Sequence, residues 1–379
     1  MTNRDEQGVT GIQRAAQEAM LYHRVGAQDV VCDLCAHRCA LGPGQRGLCG
    51  VRVNHEGRLY TLVSDRIVAM AVEPVERHSF YHVDPGSAAL ALATVGCTMR
   101  CRYCLNYTLS QLPKGNRGRV IGRRITPPEI VASARAHRCR SIVYTYTEPT
   151  VAFELMYETA RLAHAQGVKN LLVTNGYLTD AALRLLAPYL AAAAVDLKGF
   201  DDHRYQQCCG ARLEPVLETI RMLHQLGVWI EVTTLVVPGH NDSDVELYRT
   251  AEFVASLSRD IPWHVAAFFP SYQMGQCEPT PLETLYRACA IGHAVGLRYV
   301  YCGNIPGSSC AHTYCPRCRT ILIERQGYHT LLNRIVNGRC GECDQAIAGV
   351  ALSAAASGDS RPLWKNWLSG PWPMISSPG

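Results

Sequence analysis

Seven short apolar runs, "AALALATVG", "SIVYTY", "NLLVTN", "AAAVDLKG", "VWIEVTTLVV", "WHVAAFF" and "LRYVYC", recur between residues 88 and 302. Each has the length and the β-branched content of a strand buried on both faces. The segments between them carry apolar residues at helical spacing. Thr126 before Pro127, and Thr179, are candidate N-caps, and Gly167, Gly227 and Gly296 stand where helices should stop. Strands and helices alternating at spacings of about thirty residues predict parallel β/α units with right-handed crossovers. Seven such strands do not complete an eightfold barrel. The expected class is therefore α/β, a partial, open β/α TIM-like barrel, with a doubly wound sheet as the alternative. In either fold, ligand chemistry belongs at the C-terminal ends of the strands. Upstream, "RLYTLVSDRIVAMAVEPVE" reads as a pair of strands packed on this unit.

A chain of 379 residues, 47% hydrophobic and 18% charged, can bury the core of one large barrel with small appendages. Its formal charge of +5 calls for neither nucleic acid nor an anionic membrane, and neither is an expected partner. The opening stretch, "MTNRDEQGVTGIQRAAQEAM", holds no long apolar core, so it reads as neither signal peptide nor membrane span, and a cytoplasmic location is expected. The expected divisions are an N-terminal region with a four-cysteine module at 1–56, the barrel at 57–305 and a zinc-ribbon-like module at 306–350. A tail at 351–379, rich in Trp, Pro and Ser, closes the chain. Trp364, Trp367 and Trp372 in that tail would dock on the protein's own surface or on a partner, against the usual disorder of such compositions.

Eighteen cysteines in a chain of this kind point to metal binding or catalysis rather than to disulfides. Eleven fall into three tight groups. The other seven, Cys139, Cys208, Cys209, Cys277, Cys289, Cys302 and Cys310, read mostly as small buried apolar residues. Cys97, Cys101 and Cys104 follow the first apolar run with the spacing C-x3-C-x2-C. A loop with these offsets can turn three thiolates toward one centre, an iron–sulfur cluster or zinc. Structural zinc would want a fourth protein ligand, and none lies nearby, so the site reads as open. Cys315, Cys318, Cys340 and Cys343 form two C-x2-C pairs around a hairpin-like segment, a zinc-ribbon pattern. Cys32, Cys35, Cys39 and Cys49 form C-x2-C-x3-C-x9-C, which fits zinc, the favoured reading, or an auxiliary iron–sulfur cluster. The strip "KGNRGRVIGRR", basic and placed after the cysteine loop, reads as a solvated face or a contact for an acidic substrate or a protein partner.

The motif "GCTMRCRYC", with Tyr103 just before its last cysteine, resembles the signature of the radical S-adenosylmethionine (SAM) superfamily. The resemblance implies that Cys97, Cys101 and Cys104 hold three irons of a 4Fe-4S cluster and leave the fourth for SAM. The cluster's electron would cleave SAM to methionine and a 5′-deoxyadenosyl radical that abstracts hydrogen. It further implies that Thr147 and Glu148 of "YTYTEP" meet the methionine ammonium, while Thr174 and Asn175 of "VTNG" serve ribose or carboxylate. The segment "VDLKGF" resembles that of glycyl-radical-enzyme activases, which assigns Asp196 and Lys198 to the cofactor. Pro238 and Gly239 of "VVPGHND" match a loop bordering adenine, and His264 a strand-end histidine. Thr233 stands where activases commonly carry arginine.

Taken together, "CDLCAHRC", "GQRGLCGVRVN", "GCTMRCRYC", "YTYTEPT", "VDLKGF", "YCGNIPG" and "TYCPRC...CGEC" resemble the AmmeMemoRadiSam system radical SAM family, relatives of the pyruvate formate-lyase activating enzyme. That resemblance implies Memo-type and AMMECR-type partner proteins and an electron donor such as flavodoxin or ferredoxin. It covers about residues 30 to 350 and departs from the pattern at Ala36 and Leu105. The expected activity is that of a protein-directed activase or maturase. A small-molecule radical SAM enzyme, or a non-catalytic metal-binding scaffold or nucleic-acid-binding protein, are the alternatives.

Overall fold

Residues 17–115, 118–305 and 309–353 are described by the computed structural model. The seven apolar runs become strands β2 (Ala88–Ala93), β3 (Ser141–Tyr144), β4 (Lys169–Thr174), β5 (Leu190–Asp196), β6 (Trp229–Val236), β7 (Trp263–Ala267) and β8 (Val300–Gly303). They lie in chain order, and every neighbouring pair is parallel. An eighth strand, β1 (Ala69–Pro74), precedes them and runs antiparallel to β2. With β1 and β8 as its two edges, the sheet stays open, as a partial barrel does.

Helices α1 (Pro127–Ala136), α2 (Phe153–Ala165), α3 (Asp180–Leu186), α4 (Asp202–Cys209), α5 (Glu214–Gln225), α6 (Asp244–Leu257) and α7 (Leu282–Ala294) fall between the parallel strands. Helix α1 starts with the capping box of Thr126 and Glu129 and with Pro127 in its first turn. Thr179 caps α3 by accepting from the Ala182 N–H at 3.3 Å. Outer-face residues such as Leu90, Ile142, Leu172, Val195 and Val232 pack with helix residues such as Ile130, Phe153, Leu183, Val216 and Leu247 in the largest core. Each such side chain, fully buried, contributes about 1.5–3 kcal/mol. A separate core of Ala89, Val143, Leu171, Ala192 and Ala194 closes on Phe80 and Val83. Alternation along the strands puts these small side chains on the opposite sheet face, inside the barrel.

Two small modules flank the barrel. The N-terminal one carries two three-stranded sheets, one from Gln17–Glu18, Arg58–Thr61 and Arg52–His55, the other from Tyr22–Val25, Asp29–Cys32 and Ala40–Leu41. It is fastened to the barrel by a buried ion pair, Arg52 Nη2 to Glu154 Oε1 at 2.7 Å, and by the Ala36 N–H to the Tyr177 carbonyl at 3.0 Å. The C-terminal module contains the expected hairpin, Ile321–Gln326 with His329–Asn333, joined by Thr313–Tyr314. It docks beneath the barrel: Tyr81, Tyr299 and Tyr301 share a core with Cys315, Leu322, Ile323 and Ile335. Among the described residues no helix is long and apolar enough to cross a membrane. Residues 354–379, which carry the three tail tryptophans, Asn116 and Arg117 of the basic strip, Pro306 and Gly307 of "YCGNIPG" and the chain's first sixteen residues lie outside the described residues.

Candidate functional site

The loop that follows β2 needs glycine at its start. Gly96 has φ +99°, and a β-carbon there would stand 3.0 Å from Val51 Cγ1 and 3.2 Å from the Cys49 carbonyl oxygen. Beyond it the backbone is pinned from the other side, because the N–H groups of Arg100 and Arg102 donate to the carbonyls of Cys209 and Cys208 at 2.7 and 2.9 Å. Three thiols hang from this frame. Cys97 Sγ accepts from the Met99 N–H at 3.3 Å, Cys104 Sγ meets Ser110 Oγ at 3.3 Å, and Cys101 is buried.

These thiols do not lie within 4.8 Å of one another as a group. Thiolates on one zinc, at about 2.3 Å from the ion, stand only about 3.8 Å apart. The three thiols are therefore not drawn together around a single zinc ion in this structure. Burial pushes the Cys97 thiol up to about 12, with Lys114 pulling the other way. Such a thiol is deprotonated by the metal it binds rather than by solvent.

The neighbouring strand ends supply the polar groups. Lys198, two residues past Asp196, is 3.0 Å from its carboxylate. Burial works against the Lys198 charge, but Asp196 and the thiols of Cys101 and Cys209 more than offset it and hold its pKa well above the ordinary value. Thr233, paired in register with Asp196, has a buried hydroxyl with no partner. Asn175 directs its amide toward Cys97 Sγ at 3.6 Å and toward Thr98 Oγ1 at 2.9 Å, while Thr174 Oγ1 donates to Glu148 at 2.9 Å. Thr147 Oγ1 donates to the Thr94 carbonyl at 2.8 Å. In the loop after β6, Gly239 has φ +73° and its N–H meets Asp242, and Pro238 precedes it. Asn241 ties this loop to the Asp-Leu-Lys segment through the Lys198 carbonyl at 3.0 Å.

Three of the residues picked from sequence sit differently from the expectation. His264 is the second residue of β7, at the strand's N-terminal end, and bonds Glu231 at 2.7 Å under the barrel, away from the cysteine loop. A strand of five residues places its second side chain near the wrong end for the cofactor. Glu148 is 1% exposed, and its carboxylate already accepts from the N–H groups of Thr150 and Asn175 and from the Thr150 and Thr174 hydroxyls. It therefore sets the backbone of two strand ends and presents no free oxygen to an ammonium. Tyr103 turns its ring inward, its hydroxyl 3.3 Å from Cys209 Sγ and its edge toward Phe268.

Sequence reasoning passed over Cys209, taken as a packing residue, although its neighbours include Cys101, Tyr103 and Lys198. The bond from Cys101 holds the Cys209 thiol below its ordinary value despite burial. It also passed over Lys114, whose ammonium donates to the Met99 carbonyl at 2.5 Å within the cysteine loop. The basic strip gave a signal for Lys114; nothing in the local pattern singled out Cys209. Beside the loop, Arg46, Arg100 and Lys114 line an open cavity of about 440 Å³ with Gly47, Gly50 and Pro113.

A family model described as the radical SAM superfamily matches residues 92–251, from the end of β2 into α6. An uncharacterised protein, MJ0808, of Methanocaldococcus jannaschii is 39% identical over 334 residues, covering 87% of this chain and 98% of its own. The pyruvate formate-lyase-activating enzyme of Streptococcus mutans is 24% identical over 221 residues, 54% of this chain and 81% of that one. Among solved structures, that of Streptococcus suis SuiB bound to S-adenosylmethionine aligns with 61% of this chain and 53% of its own at 14% identity, with a TM-score of 0.46. The chain therefore carries a radical SAM domain over residues 92–251 and belongs to the family of the M. jannaschii protein.

Proposed function

We propose that this radical SAM protein acts on another protein, as an activase or maturase. The observation that carries the proposal is the loop of Cys97, Cys101 and Cys104 after β2, flanked by Asn175, the Lys198–Asp196 pair and the orphaned Thr233 hydroxyl. When bound, a 4Fe-4S cluster on Cys97, Cys101 and Cys104 supplies the electron that cleaves SAM to methionine and the hydrogen-abstracting 5′-deoxyadenosyl radical. The chain's own residues hold and orient. The Asn175 amide and the Met99 N–H point at the Cys97 sulfur and stabilise its thiolate. Lys198 places a cation beside the Cys101 side of the site, where an anionic carboxylate finds a partner. The free Thr233 hydroxyl, where activases commonly have arginine, gives a neutral hydrogen bond at that position.

A protein target is supported by the activating-enzyme name of the S. mutans relative, and by the cavity lined by Arg46, Arg100 and Lys114, which suits an acidic loop or tail. We place the chain in the AmmeMemoRadiSam system on its motif set, with Memo-type and AMMECR-type proteins as partners and flavodoxin or ferredoxin as electron donor. Zinc is the ion assigned to the C-terminal group, whose sulfurs pair at 3.6 Å (Cys315–Cys343) and 3.7 Å (Cys318–Cys340), close to a tetrahedral edge. Anaerobic protein given dithionite and SAM should form 5′-deoxyadenosine, and Cys97→Ala should abolish it; equal product from both would sink the enzymatic reading. Deuterated candidate polypeptides should pass label into 5′-deoxyadenosine. Label arriving instead only from small molecules would move the target class to the alternative.

A further inference from the structure

Beside the cysteine loop the strand ends carry an apolar surface that the proposed cofactor residues do not use. Leu105 and Tyr107 lie just past Cys104, and Phe269 and Tyr272 lie in the loop after β7. All four are between 38% and 60% exposed. The two segments meet, because the rings of Tyr107 and Tyr272 stack with centroids 4.7 Å apart and planes 15° from parallel. Single exposed apolar residues are ordinary, but large ones gathered from two segments at the strand ends mark a place where something docks.

Backbone bonds hold this surface in place. The Gln273 N–H donates to the Arg102 carbonyl at 2.9 Å and the Ser271 hydroxyl to the Cys104 carbonyl at 3.4 Å, so the loop after β7 is tied to the cysteine loop on both sides of Tyr272. Between Leu105 and Tyr107, the Asn106 amide donates to the Tyr146 carbonyl at 2.6 Å. Tyr272 has φ +51°, a left-handed conformation that a bulky side chain disfavours. The chain thus presents this ring in spite of its backbone, and rings already fixed lose little freedom when a partner arrives. The charge around them has one sign. Residues 95–115 contain three bases, Arg100, Arg102 and Lys114, and no acid, while 268–281 contain one acid, Glu278, and no base. Arg100 and Arg102 are exposed.

We propose that Leu105, Tyr107, Phe269 and Tyr272 form the platform on which the polypeptide target seats, with an apolar side chain of the target on the stacked rings and its flanking acidic residues on Arg100 and Arg102. Aromatic anchors inside a polar rim make up the energetic centre of protein interfaces. A small polar molecule gains little from half-exposed rings, whereas an extended segment lays one side chain on them and carboxylates on the guanidiniums. The choice of a polypeptide as occupant rests on the protein-directed reading above; the platform's place beside the cysteine loop does not.

The probe is a fluorescent peptide of about twelve residues, rich in Asp and Glu with one central Phe, added to the anaerobic full-length protein. Its anisotropy should report binding that weakens as salt rises, and binding about tenfold weaker when the Phe is Ser or the acids are Lys. Tyr107→Ser/Tyr272→Asn and, separately, Leu105→Ser should also weaken it about tenfold while keeping the wild-type unfolding midpoint; asparagine tolerates the left-handed backbone at 272. Arg100→Gln/Arg102→Gln should weaken it and flatten its salt dependence. No binding to wild type, or equal affinity for wild type and the aromatic variants, would overturn the platform. Three results would give the surface another occupant and overturn the assignment: preference for a synthetic peptide of residues 354–379, displacement of the acidic peptide by flavodoxin, or a dimer that the double variant dissociates in sedimentation. Wild-type protein that forms no 5′-deoxyadenosine with dithionite and SAM would instead count against the proposed function, whichever way the peptide binds.

Discussion

Arg52 and Glu154 show how much hangs on single side chains. Both are 1% exposed, and the guanidinium reaches the two carboxylate oxygens at 2.7 and 2.8 Å while Glu154 also accepts the Met20 N–H at 2.7 Å. The pair joins the N-terminal module to α2. Replacing the carboxylate strands a buried cation beside the N-terminal cysteines. Glu154→Gln should therefore cost about 3–5 kcal/mol in urea unfolding, far more than a surface pair would. An unchanged midpoint would mean that the module is held by something else. Local pattern could not reveal this pair, since nothing near position 52 or 154 signals a partner about a hundred residues away. The same limit applies to Glu148 and His264. Their residue types fitted a cofactor site, but the type of a side chain does not say which other groups have already claimed it.

At the scale of the element, most of the pattern was legible. The seven parallel strands are the seven apolar runs, and Thr126 and Thr179 cap the helices they precede. Periodicity reports burial, and burial on both faces leaves few readings. The eighth strand was legible as a strand but not as a member of this sheet, because antiparallel pairing of β1 with β2 is a choice of partner. Gly292, inside α7, was not explained by sequence at all. A β-carbon there would come within 2.9 Å of Val300 Cγ2 and 3.0 Å of the Trp263 ring, which is fixed by its Nε1–H bond to Thr234 at 3.0 Å. Gly292→Ala should gain about 1 kcal/mol of helix propensity and lose about 1–3 kcal/mol to overpacking, a net destabilisation read in thermal unfolding. A stabilised variant would show that α7 can move off β8 at little cost.

For the whole molecule, the decisive feature is the buried polar network under the barrel. Glu231 accepts from the N–H groups of Tyr81 and His82 and bonds His264, while His82 Nε2 meets the Tyr301 hydroxyl at 2.6 Å and its Nδ1 meets the Ala348 carbonyl at 2.7 Å. Arg325 donates to the Tyr81 carbonyl at 2.7 Å and lies over the Tyr81 ring. Burial lowers the pKa of His82 from 6.5 to about 4, against the pull of Glu231. Folded protein thus binds fewer protons at His82 than unfolded protein does between those values. The stability it contributes is complete above pH 6.5 and lost as pH falls toward 4, a change of about 3 kcal/mol. His82→Gln should unfold more easily at pH 7 and show a flatter loss of stability from pH 6.5 to 4 in denaturant titrations. Parallel curves for the two proteins would remove His82 from the acid response.

Sequence by itself determined the parallel barrel, the open three-cysteine loop and the two four-cysteine groups, because hydrophobic period and ligand spacing are local properties of the chain. Tertiary structure decided the rest. It moved His264 beneath the barrel, turned Glu148 into a brace for two strand ends and brought Cys209 against Cys101. It also gathered the four C-terminal sulfurs within 4.8 Å of one another, which cysteine spacing alone could not show. Ligand type is written in the chain, but the distance between ligands is set by folding.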